Sequence, residues 1–242
     1  IEVVADAQAA GRRACGYFVT EAERAIAERG SFFAAVSGGK SPEAFFRQLG
    51  EDAHGMRLEW SKVRLFWVDE RCVPPDSPQS NYRLACESFI ERVGIPASCV
   101  FRIHGEAADH EAEARRYENV LKEVFGPARS GAIPAFDLMT MGMGADGHTA
   151  SIFPYSNVIN EEVRLVCAVE ASGSRLARIT LTPPVITAAR RVIALISGAN
   201  KAEMFKHVLD SHPEPLRYPV QILRAMGDRA IWLADRQAAS LL

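Results

Sequence analysis

Cysteine is sparse and unpaired in this chain. Cys15, Cys72, Cys86, Cys99 and Cys167 are scattered and form no C-x-x-C pair. An odd number without framework spacing excludes a disulfide scaffold and a cysteine-rich metal site, and it suits reduced, mostly buried thiols in a cytoplasmic protein. No apolar run reaches the roughly 18–20 residues that a membrane-spanning helix needs, so no membrane partner is expected. No signal-peptide pattern opens the chain, and with Ile1 in place of Met the expectation is a trimmed start. An excess of one charge is missing as well: 28 basic and 30 acidic residues leave a net charge of −2. That balance excludes a general attraction to nucleic acid or to an anionic membrane, while a local basic pocket remains open. No two histidines stand at a metal-ligand spacing such as H-x-x-x-H, so no metal is expected.

What the chain does have is a regular alternation of two kinds of text. Short apolar runs read as buried strands: 32–38, 63–70, 99–103, 136–142, 165–170, 191–198 and 230–235. Between them lie helical patterns over 7–29, 42–54, 81–93, 107–125 and 200–209. Strands apolar on both faces, separated by helices, imply a mostly parallel sheet covered on both sides. The expectation is one three-layer, Rossmann-like α/β domain spanning residues 1–242. Such sheets bind ligands beyond the carboxyl ends of their strands, where strand order reverses. Three strand ends carry polar, glycine-rich or charged text.

At the first, Ser37-Gly38-Gly39-Lys40-Ser41-Pro42 turns from a strand into a helix. Ser41 fits the N-cap and Pro42 the first turn. Two glycines let backbone approach a ligand, free N–H groups at a helix start attract an anion, and Lys40 adds charge. The same text also suits an ordinary strand-to-helix turn with a good cap. At the second, Asp69, Glu70 and Arg71 follow directly on an apolar strand, and Ser80 looks like a cap before Asn81-Tyr82-Arg83. A carboxylate pair can orient a sugar or hold a catalytic group, and an arginine pairs bidentately with phosphate or carboxylate; a salt-bridged strand end with a surface loop fits too. At the third, Gly142, Gly144, Asp146, Gly147 and His148 crowd the end of a strand. Histidine is the side chain best poised for proton transfer near neutral pH, and a carboxylate two residues away can hold its ring. A functional role for His148 is therefore preferred. The other five histidines, at 54, 104, 110, 207 and 212, read as surface or capping residues.

These three segments together resemble the 6-phosphogluconolactonase family, within the wider group that includes glucosamine-6-phosphate deaminase. The resemblance rests on Gly38–Pro42, on Asp69–Arg71 with Ser80–Tyr82, and above all on Gly142–Pro154. Arg178, Thr180 and Leu181, then Gly198, Lys201 and Ala202, then Trp232, Asp235, Ala238 and Ala239 extend it along nearly the whole chain. Lys40-Ser41 stands where the family often has Ser-Thr, and Tyr155 where a glycine is common. The resemblance implies hydrolysis of a phosphorylated six-membered sugar lactone without a cofactor. It makes His148 the general base and Arg71 the stabilising charge at the lactone or carboxylate end. Asp146 would orient His148 or a substrate hydroxyl. Gly38, Gly39, Lys40 and Ser41, with Arg178 and Lys201, would grip the phosphate, and Asp69 would contact substrate. A lysine in a helix's first turn is electrostatically poor there, which favours a bound anion beside Lys201. The expected working unit is a monomer.

Two other readings compete. A deaminase shares the cradle and the Asp-Gly-His, but its pattern places a glutamate before the proline, where this chain has Phe153, and usually a tyrosine where Arg71 stands. A non-catalytic sugar-phosphate sensor of the kind fused to a DNA-binding module would need a helix-turn-helix extension or a basic patch, and the chain shows neither. A dinucleotide site is excluded because no Gly-x-Gly-x-x-Gly follows the first strand.

Overall fold

The computed structural model describes residues 1–51, 58–126 and 133–242. The chain runs β1 (Glu2–Val4), α1 (Ala7–Arg29), β2 (Phe32–Val36), α2 (Glu43–Glu51), β3 (Val63–Trp67) and β4 (Asp69–Arg71). It continues through α3 (Asn81–Ala85), a π-helical turn at Cys86–Ile90, α4 (Glu91–Val93), β5 (Val100–Phe101) and α5 (His110–Phe125). Then come β6 (Leu138–Gly142), β7 (Val166–Val169), β8 (Arg178–Leu181), the helix Pro183–Ala188, β9 (Val192–Ile196), the helix Ala202–Asp210 and β10 (Ala230–Asp235).

Seven strands form one parallel sheet in the order β1-β10-β9-β6-β2-β3-β5. Every residue of β2 and β9 is buried. This is why these strands read as unbroken apolar runs: helices cover both faces and neither meets water. The chain builds outward from β2 through β3 to β5, then returns to the other side of β2 with β6 and grows through β9 and β10. Strand order therefore reverses between β2 and β6. The crevice at their carboxyl ends is where such a sheet places its ligand, and the two glycine-rich segments follow these two strands.

The expected parallel sheet is there, but one of its expected members is cut short and another lies elsewhere. The run 63–70 does not continue as one strand. It breaks at Val68, whose N–H bonds to Val36 O at 3.0 Å while its carbonyl accepts from Leu181 N at 2.8 Å. Val68 thus joins two sheets, and Asp69–Arg71 leaves the parallel sheet for a second, antiparallel one in the order β4-β8-β7. The run 165–170 supplies β7 of that second sheet, which packs against α5. Burial alone made both runs apolar and gave no sign of which sheet they join. Strands β1 and β8 were not expected. Helix α2 starts later than a Ser41 cap implies, with its first four-residue bond from Phe46 N to Pro42 O at 2.8 Å. The expected helix 42–54 ends beyond the described residues, and His54 lies outside them. Helix α5 starts at His110, capped by the Asp109 carboxylate on Ala112 N at 2.8 Å. Among the described residues no helix is long and apolar enough to cross a membrane.

Candidate active site

The turn after β6 is built around one short contact. His148 Nδ1 lies 2.6 Å from Asp146 Oδ1, and the His148 backbone N–H donates to the same oxygen at 3.2 Å. Burial alone would push the Asp146 carboxyl up, but the two bonds from His148 and its charge outweigh that and hold it at about 2. Gly144 makes the contact possible. A Cβ there would fall 2.1 Å from His148 Nδ1 and 2.4 Å from Asp146 Oδ1, so only a hydrogen fits. The turn is tied down further along. Thr149 Oγ1 donates to Gly142 O at 2.8 Å, and Ser151 Oγ donates to Asp69 Oδ2 at 2.5 Å. Asp69 is therefore spoken for in part by the histidine segment, and it fixes that segment to the second sheet.

Glu70 is the hub of the second strand end. Its buried carboxylate accepts from Arg71 N, Asn81 N and Tyr82 N at 2.8 Å each, and from Ser80 Oγ at 3.0 Å. Burial pushes its carboxyl up and the three backbone N–H groups pull it back. Glu70 is thus committed to holding the start of α3 and the backbone of Arg71. Asn81 donates to Asp69 O at 2.9 Å and seats its side chain against Gly38, where a Cβ would lie 1.7 Å from its Oδ1. The cradle glycine is therefore needed first for packing against Asn81. Asn81 Oδ1 is buried and has no hydrogen-bond partner among the described residues.

Register brings two arginines side by side. Arg71 on β4 pairs across the ladder with Arg178 on β8. Burial, then the Arg71 charge, pushes the Arg178 guanidinium below its ordinary value, and its Nη1 is buried with no hydrogen-bond partner among the described residues. Like charges directly opposite in a ladder are destabilising, and an unpaired buried donor costs about 1–3 kcal/mol. An anion placed between the two relieves both. They line a cavity of about 350 Å³ with Gly39, Lys40, Ser80 and Arg175. Arg71 also donates to Gln79 O at 2.7 Å, which aims it.

Lys201 stands on the other side of the crevice. It ends the 3₁₀ turn Ala199–Lys201, and burial pushes its ammonium down while the Asp146 carboxylate pushes it back up. Its charge environment is the histidine turn, whereas that of Arg178 is Arg71 with the Asp69 and Glu70 carboxylates. A group held by both must lie between the turn and the cradle. Ser41 sits in the turn before α2 and does not line the cavity. Of the other histidines, His207 departs from the expected surface role: its ring packs 4.4 Å from that of Tyr218 and its Nε2 is buried.

Sequence reasoning missed Arg175, whose signal was the turn text Ser172-Gly173-Ser174 directly before it; Phe153 was read only as standing where a deaminase has glutamate.

A family model for glucosamine-6-phosphate isomerases/6-phosphogluconolactonase matches residues 5–232. A 6-phosphogluconolactonase of Synechocystis is 36% identical over 242 residues, covering 100% of this chain and 98% of its own. The solved 6-phosphogluconolactonase of Trypanosoma cruzi superposes with a TM-score of 0.85 at 29% identity, over 99% of this chain and 95% of that one. A monomeric glucosamine-6-phosphate deaminase superposes with a TM-score of 0.84 at 21% identity, over 100% of this chain and 99% of that one, and shows the fold alone. The chain belongs to the glucosamine-6-phosphate isomerase/6-phosphogluconolactonase family.

Proposed function

We propose that this chain is a 6-phosphogluconolactonase, a hydrolase that opens 6-phospho-D-glucono-1,5-lactone to 6-phospho-D-gluconate in the oxidative pentose phosphate pathway. One observation carries the reading: an aspartate–histidine pair at the mouth of β6, beside a cavity with two facing arginines, one of them carrying a bare buried N–H. An ionised Asp146 accepts the Nδ1 proton of His148 and leaves Nε2 to take a proton from water. The water oxygen bonds to the lactone carbonyl carbon, and the carbonyl electrons move onto its oxygen. Arg71 stabilises that oxyanion. When the ring C–O bond breaks, the leaving oxygen takes the proton back from His148, and the new carboxylic acid ionises. Positioned general bases are worth roughly 10²–10⁴-fold, and one preorganised donor about 10²–10³-fold.

Gly38, Gly39 and Lys40, with Arg178 and Lys201, hold the phosphate, and Asp69 orients a sugar hydroxyl or the histidine turn through Ser151. The route needs no metal, because a lactone carbonyl is already electrophilic and the arginines supply the positive charge. The proposed working unit is a monomer, and the proposed single domain is supported by a core cluster that apolar residues of both sheets share. None of the five cysteines is in a disulfide, which suits the cytoplasm.

The test is hydrolysis of freshly made 6-phosphogluconolactone, coupled to 6-phosphogluconate dehydrogenase and compared with the spontaneous rate, with and without a chelator. The expected result is rapid turnover indifferent to the chelator. A wild type no faster than buffer sinks the reading, and ammonia release from glucosamine 6-phosphate would replace it with the deaminase.

A further inference from the structure

The β7–β8 hairpin carries a cation that the mechanism above does not use. Ser172 N donates to Arg175 O at 3.1 Å and Arg175 N to Ser172 O at 3.0 Å, closing a two-residue turn over Gly173-Ser174. The turn sets Arg175 on the wall of the cavity that also holds Lys40, Arg71 and Arg178. The Arg175 guanidinium lies 4.2 Å from the centroid of the Phe153 ring. That ring lies 4.9 Å from the ring of His148, tilted by 52°. Phe153 is buried, so it is a fixed wall rather than a loose side chain. Among the described residues no carboxylate forms an ion pair with Arg175.

Stacking occupies the face of a guanidinium and leaves its N–H edge free. A free edge on the wall of a cationic cavity is the arrangement that binds an oxyanion through two parallel bonds. The residue under the stack matters as well. A glutamate at position 153, as in the deaminase pattern, would pair with Arg175 and cancel its charge. The phenyl ring holds the guanidinium in place and leaves the charge available.

We infer that Arg175 is a specificity-determining residue: its N–H edge binds phosphate oxygens of the sugar phosphate beside Arg178, and its stack on Phe153 couples phosphate binding to the position of the His148 ring. The ligand's identity rests on the lactonase reading. The inference explains why the first residue of β8 and the hairpin tip before it are both arginines, one half-buried and one exposed, around one cavity. It also gives the site a way to favour phosphorylated over unphosphorylated sugar acids.

The test is calorimetric titration of the whole chain with 6-phosphogluconate and with gluconate, for wild type, Arg175→Ala and Arg175→Gln, with circular dichroism as the check on folding. Losing a charge-assisted bidentate contact should weaken 6-phosphogluconate roughly tenfold and leave gluconate unchanged. In turnover, KM for the phosphorylated lactone should rise by a similar factor, with kcat moving less. Arg175→Gln keeps a flat group for the Phe153 ring without the charge, and it should lose phosphate discrimination as Arg175→Ala does. If Arg175→Ala does not fold, Arg175→Gln decides by the same comparison. Unchanged 6-phosphogluconate binding overturns the inference, and so does equal weakening of both ligands. Wild-type lactone hydrolysis, run in parallel, keeps the two readings apart. An active wild type with an unaffected variant removes only the role of Arg175. An inactive wild type removes the lactonase, and the difference between the two ligands still decides Arg175.

Discussion

At the scale of single residues, the site depends on the distance between Asp146 and His148, and three substitutions read it. His148→Ala removes the base and should lower kcat/KM by roughly 10²–10⁴-fold in the coupled assay while the chain stays folded. Gly144→Ala should do comparable damage without touching either partner. Its Cβ must displace a histidine nitrogen 2.1 Å away, and a shift of about 1 Å at a reacting group costs roughly 10²-fold. Retained activity in Gly144→Ala would mean that the pair separates without consequence, and the base would have to be sought elsewhere. Asp146 has a pH signature. Its carboxyl is held at about 2, below its ordinary 3.8. A depressed carboxyl stabilises the folded state above its unfolded value, and that stabilisation is lost as pH falls through the folded one. Asp146 is thus ionised throughout the working range, and the acid limb of kcat/KM should follow one proton. Asp146→Asn removes the carboxylate that holds Nδ1, so it should lower the rate at every pH. The pair was legible in the sequence because its members are two residues apart. Arg71 and Arg178 were legible singly, but their pairing was not, because it depends on the register of β4 against β8.

At the scale of elements, what escaped the sequence was which sheet a strand joins. An apolar run records burial, and Trp67, Val68 and Asp69 are all buried across the break. The break itself is decided by hydrogen bonds to Val36 O and from Leu181 N, which lie far apart in the chain. Glu70 shows how much rests on that junction. Glu70→Ala would strand three backbone N–H groups and the Ser80 hydroxyl, each costing about 1–3 kcal/mol where water does not reach. The expected loss is at least about 3 kcal/mol, or roughly 10 °C in Tm for a chain of this size, measured by thermal unfolding. Activity should fall with it, since the same carboxylate holds the Arg71 backbone. Glu70→Gln keeps the volume and one acceptor, and should lose less. The turn after the histidine segment offers the opposite sign. Tyr155 is 68% exposed and sits at φ +62°, a conformation that costs a side chain about 1–2 kcal/mol. Tyr155→Gly should raise stability by about 0.5–1 kcal/mol once glycine's greater unfolded freedom is counted, a gain of roughly 1–4 °C. A fall in Tm would show that the Tyr155 side chain contributes more than its backbone costs.

At the scale of the whole molecule, the net charge of −2 conceals a strong local field. Lys40, Arg71, Arg175 and Arg178 line one cavity that also includes Glu43; Asp69 and Glu70 act on Arg178, and Lys201 stands across the crevice. A recessed cluster of one sign focuses its field into the opening and raises the local concentration of an oppositely charged substrate. Salt should separate that contribution from the chemistry. Raising ionic strength from about 0.01 M to about 0.15 M shortens the screening length from about 30 Å to about 8 Å. The field that steers a dianionic phosphate towards the crevice weakens accordingly, whereas the Asp146–His148 pair, at 2.6 Å, lies well inside either length. For the phosphorylated lactone, KM should therefore rise several-fold across that range with kcat nearly constant. For unphosphorylated gluconolactone, which carries no charge, neither should move. Arg178→Gln should flatten the salt response of the phosphorylated substrate, because the deepest cation of the cluster is gone. A kcat that falls with salt as steeply as KM rises would place the electrostatic effect in the chemical step, on the oxyanion at Arg71, rather than in substrate capture.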